Sequence, residues 1–223
     1  SAASDVYKRQ GRDDLEKVLA GIEAARSSGL GPIKVNVVPI RGINDDEVVE
    51  LAAFGREHGL EVRFIEVMPL DAGHTWDLSQ VVPAAEIVAR IGGCFPLEPV
   101  ARGSAPASLY RYLDGRGQVG VIASVTQPFC GSCDRIRLTA DGKVRNCLFA
   151  TTETDLRPVL RQAGLPHDGP NNSGSRCRSS DPDWRELAVA RLLRESVATK
   201  WAGHHICRPD FSQPERPMSR IGG

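Results

Sequence analysis

Residues 33–67, IKVNVVPIRGINDDEVVELAAFGREHGLEVRFIEV, carry the pattern that decides the fold. Ile33 to Ile40 is a short β-branched run that reads as a buried strand, with Pro39 near its end. Asn44 followed three residues later by Glu47 resembles a capping box, and it opens a helix through Glu57 that Gly59 stops. Glu61 to Val67 supplies the next strand. Upstream, Leu15, Val18, Leu19 and Ile22 recur at helical spacing, which predicts a helix from Asp13 to about Ser28, ended by Gly29. Helix, strand, helix, strand with short connections is the pattern of βα units in a parallel sheet, crossed over right-handedly. Two such strands are far fewer than a closed barrel holds, so the expected fold is α/β, the C-terminal part of an incomplete (βα) barrel. In such sheets ligands sit at the carboxyl ends of the strands. Ser1 to Gln10 matches no convincing element and is read as a non-native scar.

Beyond Pro69 the pattern changes. Asp71 to Trp76 reads as a polar loop, Val82 to Ile91 as a short helix, and Gly92 to Ser108, rich in Gly and Pro, as a linker between domains. Tyr110 to Leu113 and Val119 to Val125 then form two strands around Asp114-Gly115-Arg116-Gly117, a hairpin leading into FCGSCDRIRLTADGKVRNCLF, residues 129–149. That run places Cys130, Cys133 and Cys147 in a C-x2-C-x13-C pattern, and the turn signal Thr139 to Lys143 would fold the third thiol back beside the other two. Three thiolates suggest an iron-sulfur cluster with one open iron, or a zinc site completed by a distant His or Cys. A structural zinc knuckle and a disulfide remain alternatives. Arg135 and Arg137 stand two apart, so on a strand they share a face and form a cationic fork suited to phosphate. The expected domains are 11–92, the partial barrel, and 93–223, a smaller α+β domain built around the cysteines.

Composition bounds the function classes. Lys plus Arg and Asp plus Glu are 28 each, so no global field draws the chain to nucleic acid or an anionic membrane, and phosphate recognition must be local. Apolar runs such as Val119 to Val125 fall far short of a membrane span, and a cytoplasmic location is expected. The cysteines read as reduced, with Cys94, Cys177 and Cys207 as isolated incidental thiols. Asp155 to Gln162 reads as a helix that tolerates Pro158 near its first turn, and Trp184 to Val197 as another. Residues 166–182 form a low-complexity insert expected to be disordered. His204-His205 reads as a solvated turn, and residues 209–223 read on composition as a flexible terminus.

The run FC-x2-C-x-R-x-R-L-T-x-D-G-x-x-R-x-C-L-F resembles the second-cluster motif of the GTP 3′,8-cyclase family, radical S-adenosylmethionine (SAM) enzymes of molybdenum cofactor biosynthesis. KVN-x-V-x-x-RG-x-ND-x-E and EVRFIE-x-MP are similar to the last units of that family's partial barrel, and PMS-x-IGG to its diglycine tail. The resemblance implies that Cys130, Cys133 and Cys147 hold a [4Fe-4S] cluster whose open iron touches the guanine of GTP. It further implies GTP contacts from Lys34, Arg135, Ile136 and Arg137, a SAM contact from Met68, and an active-site role for Gly222 and Gly223. The implied reaction is radical cyclisation of GTP to 3′,8-cyclo-7,8-dihydroguanosine triphosphate. Its product passes to cyclic pyranopterin monophosphate synthase, and homodimerisation accords with the family.

The family's C-x3-C-x2-C, which holds a second [4Fe-4S] cluster that cleaves SAM, does not occur in these 223 residues. The resemblance therefore implies an amino-terminally incomplete, inactive cyclase that keeps its substrate-binding part. A non-catalytic zinc-binding interaction module, or another radical SAM enzyme with an auxiliary cluster, are the rival expectations. Few aromatics near the cysteines and zero net charge speak against nucleic-acid binding by the former.

Overall fold

A computed structural model describes residues 14–161 and 184–221, apart from residues 72, 102, 104, 202 and 207. The expected scar, the low-complexity insert and the diglycine lie outside the described residues. The chain divides into two compact units, the first formed by residues 14–69 and 75–133, the second by residues 70–74 and 134–221.

The first unit is a five-stranded mixed sheet. Strands β1 (Lys34–Val37), β2 (Glu61–Ile65), β3 (Leu97–Pro99), β4 (Ser108–Tyr112) and β5 (Gln118–Ile122) run in the order β1-β2-β5-β4-β3. β1, β2 and β5 are parallel, with Lys34 level with Glu61 and Val62 level with Val119, while β4 and β3 add antiparallel beyond β5. The hairpin strands flanking Asp114 to Gly117 thus extend the sheet that residues 33–67 begin. β5 is central, and its Val119, Gly120 and Val121 are buried in succession, as two covered faces require.

Helix α1 (Leu15–Ser27) forms at the expected place and ends at Gly29, whose φ of 72° suits glycine. It buries no residue. Helices α2 (Val48–His58) and α3 (Ala84–Cys94) supply Val48, Ala52, Ile87 and Ile91 to a core shared with Val62 and Phe64 of β2 and Val119 and Val121 of β5. Burying Phe64 completely contributes about 2 kcal/mol.

Two local expectations are corrected. Asn44 does not cap α2: its Oδ1 accepts the Ile40 N–H at 2.7 Å and its Nδ2 donates to the Val38 carbonyl, so it braces the preceding loop. Short Asx side chains compete for nearby backbone in this way. Nor is Gly92 to Ser108 wholly linker, because β3 lies within it, held by the register of Leu97 with Tyr112. Its terminal Pro99 is acceptable because β3 is an edge strand.

The second unit holds a three-stranded antiparallel sheet of β6 (Arg137–Leu138), β7 (Lys143–Arg145) and β8 (Thr154–Asp155), with helices α4 (Arg157–Arg161) and α5 (Trp184–Ala198). The turn between β6 and β7 forms as expected, closed by Gly142 N–H to Thr139 O, with Gly142 at φ 77°. The described part of the tail is not free-running. Arg216 grips Asp141 with both terminal nitrogens at 3.1 and 2.8 Å, Gln213 donates to the Asp71 carbonyl, and Ile221 is fully buried. Side-chain pairing and one apolar anchor override the flexible-terminus composition. Among the described residues no helix is long and apolar enough to cross a membrane.

Candidate functional site

Cys130 and Cys133 share one 3-10 turn, Cys130–Ser132, in which the Cys133 N–H donates to the Cys130 carbonyl at 3.2 Å. The segment leading to them descends from the carboxyl end of β5, and Pro128 restricts its backbone. Both cysteines belong to the first unit, at its last residues, and Cys147 to the second. All three are half-buried, and neither they nor the exposed Cys94 are in a disulfide. Thiols on a tight turn are the donor chemistry that iron-sulfur clusters use. Among the described residues no group of three or more His, Cys, Asp or Glu is assembled to hold a metal ion.

Around Cys147 the second unit concentrates positive charge. Arg137 of β6 lies directly across from Arg145 of β7. Like charges in that relation repel. Burial, and next the charges of Arg135 and Arg145, push the Arg137 guanidinium below its ordinary value, while Cys147 pulls it the other way. Arg145, only 3% exposed, is neutralised by Glu153 at 2.8 Å and donates to the Leu148 carbonyl. Arg135 is exposed, and its carbonyl accepts from Lys200 Nζ at 2.7 Å, which adds another cation to the neighbourhood. Ile136 is 45% exposed.

A cavity of about 170 Å³ adjoins Cys147, lined by Asn146, Phe149, Thr152, Trp201 and His204 among others. Asn146 fixes this wall by donating to the Ser196 carbonyl at 2.8 Å. The reading of His204-His205 as a solvated turn needs correction. His205 takes φ 59° and stacks on Trp201, whereas His204 turns its ring to the cavity wall and meets Phe149 edge-on at 5.6 Å. His204 Nδ1 accepts the Ile206 N–H at 3.1 Å, so in the neutral ring the proton sits on Nε2. No local sequence signal distinguishes His204 from its neighbour, because its position depends on a contact with a segment more than fifty residues away in the chain.

Lys34 and Met68 do not sit together. Lys34 is exposed at the amino end of β1, level with Glu61, while half-buried Met68 lies beyond the carboxyl end of β2, on the order of 20 Å further along the strand direction. A cavity of about 610 Å³ opens at the amino ends of the parallel strands between Pro32, Arg56, Glu61 and Arg116. It is larger than the one beside Cys147, yet it lies at the end of the sheet where such folds do not place chemistry.

The sequence reading also passed over Glu66. This carboxylate, one residue past β2, is fully buried. It accepts four hydrogen bonds, from the backbone N–H groups of Ala84, Val125 and Thr126 at 2.8, 2.7 and 2.8 Å, and from the Thr126 hydroxyl. A charged residue ending an apolar strand was the available signal.

Comparison with known proteins gives this arrangement its setting. The family model described as Molybdenum Cofactor Synthesis C matches residues 60–168, a span that runs from β2 past Cys147. The chain is 47% identical to a protein named GTP 3′,8-cyclase from Streptomyces coelicolor, over 98% of this chain and 60% of that one. It is 46% identical to one so named from Mycobacterium sp. strain KMS and 45% to one from Mycolicibacterium smegmatis, over 95% of this chain and 55% of each. The chain thus spans 55 to 60% of the length of these relatives. Over nearly all of its residues, the chain is thus similar to proteins named GTP 3′,8-cyclase.

Proposed function

We propose that this chain supplies the substrate-binding part of a GTP 3′,8-cyclase acting in molybdenum cofactor biosynthesis, with GTP as substrate and radical SAM chemistry as its means. Cys130, Cys133 and Cys147 would hold a [4Fe-4S] cluster, and Met68 would touch SAM. When bound, the cluster would offer an iron not claimed by protein as a place for the guanine.

The observation that carries the reading is the guanidinium cluster beside Cys147. Arg137 stands across from Arg145 and within electrostatic reach of Arg135, and burial lowers its pKa. An anion of high charge density, such as a triphosphate, relieves that repulsion and accepts charge-assisted hydrogen bonds in return. Arg145 pairs with Glu153, and Arg135 and Arg137 are the two proposed to meet phosphate. The cavity wall of Phe149, Trp201 and His204 offers aromatic faces on the scale of a base. Gly222 and Gly223 follow the buried Ile221 and are proposed to enter the same site, where the absence of a Cβ permits close approach.

Titration of GTP into the cluster-loaded chain by calorimetry tests this. Arg137→Ala is expected to weaken binding about ten- to a hundredfold, the equivalent of one charge-assisted contact worth about 1.5 to 3 kcal/mol. An unchanged affinity in Arg137→Ala and Arg135→Ala alike contradicts the assignment. The rival of a zinc module predicts stoichiometric zinc and no response to GTP.

A further inference from the structure

Glu66 has no part in the reading above, yet its fully buried carboxylate accepts from three separate backbone amides. Its backbone N–H extends the parallel ladder by donating to the Ile122 carbonyl at 3.2 Å. Its side chain gathers the first amide of α3 and two consecutive amides, Val125 and Thr126, where the chain leaves β5. Burying a carboxylate completely is costly, and only such a set of donors offsets the loss of water. An apolar residue would have filled the space more cheaply, so the charge there serves to hold backbone.

What it holds is the approach to the thiols. Thr126 stands four residues before Cys130, and of the residues between them Gln127 and Pro128 are exposed and Phe129 is half-buried. Pro128 fixes its own φ and restricts the backbone of Gln127, so the three-residue spacer transmits the position of Thr126 to the turn. The same carboxylate stands two residues before Met68. We propose that Glu66 is a positioning residue, which locks the Cys130–Cys133 turn to the carboxyl end of β2 and so sets the two thiols relative to Met68. The functional side of this rests on the reading of Cys130 and Cys133 as metal ligands.

Two measurements on the whole chain test it. Amide hydrogen exchange reads the turn without any metal. Glu66→Gln keeps the side-chain shape but places an N–H2 against amide donors, and exchange over residues 125–133 is expected to rise about tenfold or more while Val119 and Val121 of β5 stay protected. Unchanged protection at 125–133 in folded Glu66→Gln overturns the proposal, as does an equal rise in Glu61→Gln, which neutralises another buried carboxylate of β2. Titration with cadmium ion, read by thiolate-to-metal absorbance and corrected with Cys130→Ser, then reads the thiol pair. Affinity is expected to fall about tenfold in Glu66→Gln and to stay within about twofold in Glu61→Gln. An exchange effect with no cadmium binding in the unmutated chain removes the metal reading and leaves the structural one standing. Should circular dichroism show Glu66→Gln unfolded, Thr126→Val, which removes only the hydroxyl donor, is expected to raise exchange about threefold, and no change there overturns the proposal.

Discussion

Arg145 shows how one side chain serves both the fold and the charge pattern of the hairpin. Only 3% exposed, it donates to Glu153 and to the carbonyls of Leu148 and Ala150, so it ties β7 to the segment that carries Cys147 and Phe149. Arg145→Met would take the nearest cation from Glu153, leaving Lys143 at 3.3 Å and Arg216 at 3.4 Å, and would leave the Leu148 and Ala150 carbonyls short of a donor, which outweighs the relief of repulsion at Arg137. A loss of about 2 kcal/mol is expected in chemical denaturation followed by a probe of the second unit. A variant as stable as the parent would mean that the buried pair is dispensable. At this scale the spacing of the C-x2-C and R-x-R runs drew attention to candidate residues, although Arg135 lies outside β6. The sequence was opaque at Glu66, His204 and Arg145, whose roles come from partners distant in the chain or from a cross-strand register.

At the scale of elements, the β6–β7 hairpin, β8 and the tail form one electrostatic clasp. Hydrogen bonds from Arg157 hold the Asp155 carboxyl down at about 2, and those from Arg216 hold Asp141 well below the usual carboxylate range. Both groups have folded values below their ordinary 3.8, so the stability they contribute is present above that value and is lost as the pH falls from 3.8 towards 2. Denaturation midpoints measured between pH 5 and pH 2.5 are expected to fall steeply for the parent and less steeply for Asp155→Asn, which starts from a lower midpoint at pH 5. Parallel profiles would remove Asp155 from the account. The elements themselves were largely legible: strand, helix, strand over residues 33–67 and the Asp114 to Gly117 hairpin follow from periodicity and turn residues. β3 was hidden because three residues with a proline carry too little pattern, and only pairing with β4 makes them a strand. The docked tail was hidden because Pro-rich composition gives no sign of the Arg216 grip on Asp141.

For the molecule as a whole, the apolar core of the first unit and the charge-rich hairpin of the second divide the labour, one by burial and the other by pairing. The proposed function gives a reason for a chain with no net charge to gather guanidiniums beside one thiol. Periodicity could indicate a mixed α/β fold but not that β5 would join β1 and β2, since that neighbour lies more than fifty residues from β2 and is chosen by packing. The central claim is that Cys130, Cys133 and Cys147 act together on one cluster. Anaerobic reconstitution with iron and sulfide, followed by iron analysis per chain, tests it most directly. About four irons in the parent and two or fewer in Cys147→Ser are expected, whereas tight stoichiometric zinc with no iron uptake, or iron loading indifferent to Cys147→Ser, would contradict it.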